Sequence, residues 1–109
     1  MIYVIKTRTS KEHVVGMLQT LGTYIKLAVD VRRGVVAGGG ALHADCEAAL
    51  LEDGSQQADV WGADWIHESG EVRFESLINI RPKQGNRKMG IEDEKLRKRI
   101  EQIVRERIE

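Results

Sequence analysis

Apolar and polar positions change period several times along the chain, and each change marks an element. Ile2, Tyr3, Val4 and Ile5 form a β-branched and aromatic run that predicts a short strand. Thr9 or Ser10 then offers a helix cap, and Thr9 with Glu12 fits a capping box. Val14, Met17, Leu18 and Leu21 recur at helical spacing, and Gly22 is the expected stop. From Tyr24 to Val31 the pattern switches to strict alternation, with Ile25, Leu27, Val29 and Val31 on one face of a half-buried strand. Arg32-Arg33-Gly34 predicts a tight turn, with Val35-Val36-Ala37 returning as the hairpin partner and Gly38-Gly39-Gly40 ending it.

A second helix is expected over about residues 41–51, with Leu42, Cys46, Ala49 and Leu50 as its stripe. Residues 58–66 read as a strand with a bulge at Gly62. After a turn at Glu68-Ser69-Gly70, alternation from Val72 to Ile80 predicts a long final strand paired with 58–66. Residues 81–88 are polar and contain Pro82 and Gly85, so they form a loop. Leu96, Ile100, Ile103, Val104 and Ile108 give the last helix its apolar face, and Glu92, Asp93 and Glu94 crowd the first turn, where the helix dipole favours them.

The order β-α-β-β-α-β-β-α defines an α+β fold with a mainly antiparallel sheet, ferredoxin-like (split βαβ) in its first two-thirds. Right-handed crossovers in that arrangement place both early helices on one sheet face. The other face then needs cover from the C-terminal helix or a second subunit. At 109 residues the chain is expected to be a single domain spanning 1–109.

Lys+Arg and Asp+Glu both number 17, which argues against a strongly basic nucleic-acid binder. The balance hides a polarity. Residues 1–33 and 81–109 are net basic, whereas 34–80 contain Arg73 as the only Lys or Arg among many carboxylates. Folded together, these segments cancel; exposed separately, they make a dipole suited to self-association or a charged partner. A single cysteine, Cys46, excludes an intramolecular disulfide and fits a cytoplasmic location. No secretory leader and no membrane-length apolar run is evident, so no membrane partner is expected.

Four constellations could carry chemistry. His43 and Glu47 stand four apart on the second helix, a spacing that can present two ligands to one metal ion, with Asp45, Asp59, Asp64 or Glu75 as further oxygens. The plainer alternative is a solvated helix face on which the two bond each other. Gly38-Gly39-Gly40 between a strand and a helix is a layout that can hold a phosphate, although close packing explains glycines equally and no P-loop or dinucleotide motif is complete. Trp61 and Trp65, interleaved with Asp59 and Asp64, could wall a pocket for a cationic or sugar-like ligand, or supply core volume. Arg81, Lys83, Arg87 and Lys88 form a basic loop that could contact phosphates of a substrate or of RNA, or pair with the acidic middle of the same chain. Cys46, on an apolar stripe, reads as buried rather than nucleophilic. His13 and His67 have no evident partner.

The runs Gly39-Gly40-Ala41-Leu42-His43-Ala44-Asp45-Cys46-Glu47, Leu51-Glu52-Asp53-Gly54-Ser55, Asp59-Val60-Trp61-Gly62-Ala63 and Phe74-Glu75-Ser76-Leu77-Ile78-Asn79-Ile80-Arg81-Pro82 resemble a small bacterial family classed as a domain of unknown function. The resemblance covers nearly the whole chain and implies no activity, cofactor or site residue.

With no complete catalytic motif, the expected function is that of a small cytoplasmic binding or interaction protein that self-associates. No cofactor is expected, a homo-oligomer is, and a separate protein partner is open. The alternatives are a metal-dependent hydrolase of a phosphate-containing substrate, with Arg81 or Lys83 as clamps, and an RNA-binding module.

Overall fold

A computed structural model describes the chain from Met1 to Glu109. Five strands, β1 (Tyr3–Ile5), β2 (Tyr24–Asp30), β3 (Val35–Gly38), β4 (Val60–Ile66) and β5 (Val72–Arg73), form one antiparallel sheet in the order β1-β3-β2-β4-β5. Three helices accompany them: α1 (Lys11–Leu18), α2 (His43–Glu52) and α3 (Glu94–Ile108). The α+β class and the antiparallel sheet agree with the sequence pattern.

The placement of the helices does not. Each βαβ unit is split by one antiparallel strand: β3 lies between β1 and β2, and β2 lies between β3 and β4. Both crossovers therefore step across the sheet in the same direction, but β1 and β3, where they start, run oppositely. The right-handed preference then sends the two helices to opposite faces. Met17 and Leu18 of α1 pack with Ile100, Ile103 and Val104 of α3 over Ile25, Leu27, Val29, Trp61 and Trp65. Cys46 and Leu50 of α2 pack over Ala28, Val35, Ala37 and Val60 on the other face. The one-sided helix layer expected of a ferredoxin-like sandwich is absent. As a result β2 is covered on both faces: Ala28 and Val29 are both fully buried, so it is a central strand rather than a half-buried one.

The hairpin turn forms as expected. Gly34 takes a left-handed φ of +69°, and its N–H donates to the Asp30 carbonyl at 2.9 Å. Asp30 is fully buried and fully used: Oδ1 accepts from the backbone N–H of Arg32 and Arg33, and Oδ2 accepts the Ser55 hydroxyl at 2.6 Å. The first helix is capped by Ser10, whose hydroxyl accepts from the His13 N–H; the Thr9–Glu12 capping box does not form, because the Thr9 backbone instead donates to the Arg107 carbonyl. Leu42, assigned to the α2 stripe by spacing, lies before the helix and is exposed.

The largest departure lies after β4. The pairing of β4 with β2 runs unbroken from Tyr24↔Ile66 to Asp30↔Val60, so Gly62 is not a bulge. The long strand expected over Val72–Ile80 pairs only at Asp64↔Arg73 and Trp65↔Val72. Ser76 then caps a short 3-10 turn, Leu77–Asn79, by accepting from the Ile78 N–H. A Cβ at position 62 would come within 2.6 Å of Ser76, so the glycine admits this turn against the sheet. Asn79 and Asn86, both buried, serve the segment as internal polar pins. Asn79 donates to the carbonyls of Gly62, Phe74 and Met89, and Asn86 donates to those of Asn79, Lys88 and Gly90. Residues 81–88 hold no named strand, but they are not a plain loop: Pro82–Gln84 forms a 3-10 turn ended by Gly85 at a φ of +80°, and Arg81 and Asn86 bridge across it.

Candidate functional site

Two concavities lie on the α2 face, and a third, of about 610 Å³, lies at the β5 edge beside Phe74, Ile91 and Arg97. One cavity of about 620 Å³ is lined by Glu47, Gln57, Ala58, Leu77, Ile78, Ile80 and the Arg81–Gln84 run. A second, of about 440 Å³, lies between the start of α2, β4 and the 75–78 segment, lined by Lys26, Leu42, His43, Asp64, Glu75, Ser76, Leu77, Ile78 and Met89. Leu77 and Ile78 belong to both. Leu42, Leu77, Ile80 and Met89 are exposed, Leu77 to 73%. These side chains form an apolar rim around the two cavities.

His43 is the first residue of α2, and the helix lays it over β4. Its Nε2 lies 2.8 Å from Asp64 Oδ1 and 3.1 Å from the Ala63 carbonyl oxygen. Glu47, one turn further on, does not join it. Its Oε2 accepts from Arg81 Nη2 at 3.3 Å, and the two side chains are 13% and 10% exposed. Burial pushes the Glu47 carboxyl up, against the opposing pull of Arg81; burial likewise lowers the guanidinium from its ordinary high value. Arg81 also donates to the carbonyls of Ile78, Gln57 and Val60 and stacks 4.6 Å from the Trp61 ring. It ties the 3-10 turn to the edge of β4.

Of the metal candidates, His43 and Glu47 thus engage separate partners, neither each other nor a common point. No three His, Cys, Asp or Glu side chains converge as a ligand set. Asp45 is exposed, and Asp59 is held by Arg32 at 2.9 Å. The four residues expected to wall one pocket are divided by the sheet. Trp61 and Trp65 are buried under α1 and α3, where Trp65 Nε1 donates to Glu109, while Asp64 points to α2. The basic loop is divided too: Lys83, Arg87 and Lys88 are exposed, whereas Arg81 is directed inward.

The three glycines are packing positions. A Cβ would reach within 2.7 Å of Leu27 at Gly38 and 2.4 Å of the Met1 carbonyl at Gly39, leaving no room for a phosphate cradle. Cys46 is buried, which raises its thiol pKa, and its Sγ approaches the Lys26 carbonyl. The charge polarity is partly cancelled internally, by Lys6 and Arg33 with Asp53, Arg32 with Asp59, and Arg81 with Glu47.

Spacing does not reveal the exposed Leu77 and Ile80, because alternation from Val72 to Ile80 imitates a strand. The signal that could have revealed them was Asn79: an asparagine within an apolar run disfavours a strand and accepts a turn.

No helix is long and apolar enough to cross a membrane. No curated protein and no solved structure matches the chain. A family model described as a protein of unknown function, DUF5674, matches residues 3–107, and the chain belongs to that family.

Proposed function

We propose that this protein is a small cytoplasmic interaction protein that self-associates through its α2 face, a second copy covering the surface around Leu77. The observation that carries the reading is the 73% exposure of Leu77 between two cavities, with Leu42, Ile80 and Met89 around it. Charge favours a second copy. Lys83 lines one cavity and Glu75 the other; both are exposed, and neither is in an ion pair within the chain. A two-fold axis near Leu77 sets the Lys83 end of one copy against the Glu75 end of the next, a self-complementary arrangement.

The test is sedimentation equilibrium on wild type, Leu77→Asp and the charge-swapped pair Lys83→Glu with Glu75→Lys. Wild type should be dimeric and Leu77→Asp monomeric, with little change in unfolding temperature because Leu77 is outside the core. The swapped pair should remain dimeric, whereas Lys83→Glu alone should weaken. A wild type that stays monomeric at every concentration overturns the reading.

A further inference from the structure

The apolar rim of the α2 face contains one side chain that oxidation can make polar without entering the core. Of the three methionines, Met17 is fully buried, and Met1 is 84% exposed but lines neither α2-face cavity. Met89 is 42% exposed and lines the roughly 440 Å³ cavity together with Leu42, Leu77 and Ile78. Its backbone is pinned: the Met89 carbonyl accepts the Ser76 N–H at 3.0 Å and the Asn79 amide at 3.2 Å, from the two residues that bracket Leu77 and Ile78. Met89 is therefore held beside the Leu77 turn. Cys46, the one other sulfur in the chain, is fully buried. A hydroperoxide transfers one oxygen atom to a thioether. Sulfur gives up two electrons and gains an S–O bond, the O–O bond breaks, and hydrogen peroxide leaves as water, with no proton taken from the protein. The product carries a strong hydrogen-bond acceptor where an apolar chain stood, and burying it against apolar surface without a donor is costly.

We infer that Met89 is an oxidation switch on self-association: its sulfoxide weakens the α2-face dimer, and reduction of the sulfoxide restores it. The inference rests on the α2-face reading above. A two-fold interface contains residue 89 of both copies, so one modification per chain is felt twice. The dependence is reciprocal. A dimer that shields Met89 protects it, so the oxidant reaches the sulfur through the monomer and the rate falls as protein concentration rises.

The probe is hydrogen peroxide on the full chain, with sedimentation equilibrium for the dimer and peptide mass spectrometry for the rate at each methionine. Wild type should dimerise before treatment, and Met89 sulfoxide should weaken the dimer roughly tenfold or more. Methionine sulfoxide reductase should restore it. Met89→Leu keeps the apolar rim and has no sulfur there; it should dimerise equally with and without peroxide, although Met1 is still modified. Met89 should oxidise several-fold more slowly well above the dimer dissociation constant than well below it, while Met1 keeps one rate. A wild type that is monomeric at every concentration overturns the α2-face reading and this inference with it. A wild type that dimerises, but whose dimer is unchanged by Met89 oxidation or whose Met89 rate ignores concentration, overturns this inference alone.

Discussion

The side-chain amide of Asn79 pairs with both backbone groups of Gly62, accepting its N–H at 2.8 Å and donating to its carbonyl at 3.0 Å. One side chain thereby supplies what a neighbouring strand would have given the outer edge of β4, beyond the two residues that β5 covers. Asn79→Ala removes the partner of these groups and of the Phe74 carbonyl, while the Met89 carbonyl keeps the Ser76 N–H. The expected loss of unfolding free energy is roughly 2–4 kcal/mol. Urea denaturation measures it, and a loss below about 1 kcal/mol would mean that water serves this edge as well as the amide does.

Gly62 is the steric counterpart of the same contact. Gly62→Ala drives a methyl group against Ser76 and should cost roughly 1–3 kcal/mol. In a double-mutant cycle, Ser76→Gly should relieve part of that cost, because the two positions share one space. Strict additivity would place the strain elsewhere.

Arg81 should not tolerate lysine. Its guanidinium reaches three carbonyls and the Glu47 carboxylate from one planar group. An ammonium cannot span them. Arg81→Lys should cost roughly 1–3 kcal/mol and shift the fluorescence of Trp61, on which the guanidinium stacks. Unchanged stability and emission would show that the fork is dispensable.

Two carboxylates give opposite pH slopes. Asp53 accepts from Arg33 and Lys6, which hold its pKa below the ordinary value, so its contribution is present at neutral pH and lost as pH falls through the folded-state pKa. Glu47 is raised by burial, so its folded form keeps a proton that the unfolded chain has released; stability therefore declines as pH rises from the ordinary carboxylate value through the raised one. Urea unfolding across the acid range should show Asp53→Asn flattening the lower limb and Glu47→Gln removing the decline above it. A Glu47→Gln profile parallel to wild type would refute the second assignment.

The elements were legible wherever period and punctuation agreed. The alternation of β2, the Arg32-Arg33-Gly34 turn and the α3 stripe rest on local rules that the tertiary structure did not disturb. What failed was non-local. Which face a helix takes depends on the direction in which its crossover moves, and element order alone leaves that open. The apolar alternation after Val72 belonged to a turn clamped by Asn79, whose partners are distant in sequence. The site was half legible. His43 was a candidate metal ligand, and Asp64 a candidate pocket wall or further metal oxygen; their direct pairing needed the α2–β4 contact. Arg81 looked like a solvent-facing cation because a chain does not announce the carbonyls it will fold around.

The two ends of the sheet are unequally fastened. Beyond β4 the edge is locked by asparagine and arginine side chains, while at the far end β1 offers three residues paired only with β3. Local opening should therefore begin at the amino terminus, with the β3 amides that face β1 among the earliest strand amides to exchange with deuterium. Once β1 lifts, the vacated edge of β3 is a template of matching length and register for the same segment of another molecule. Exchange of that segment between chains is a route to linked copies that needs no new surface.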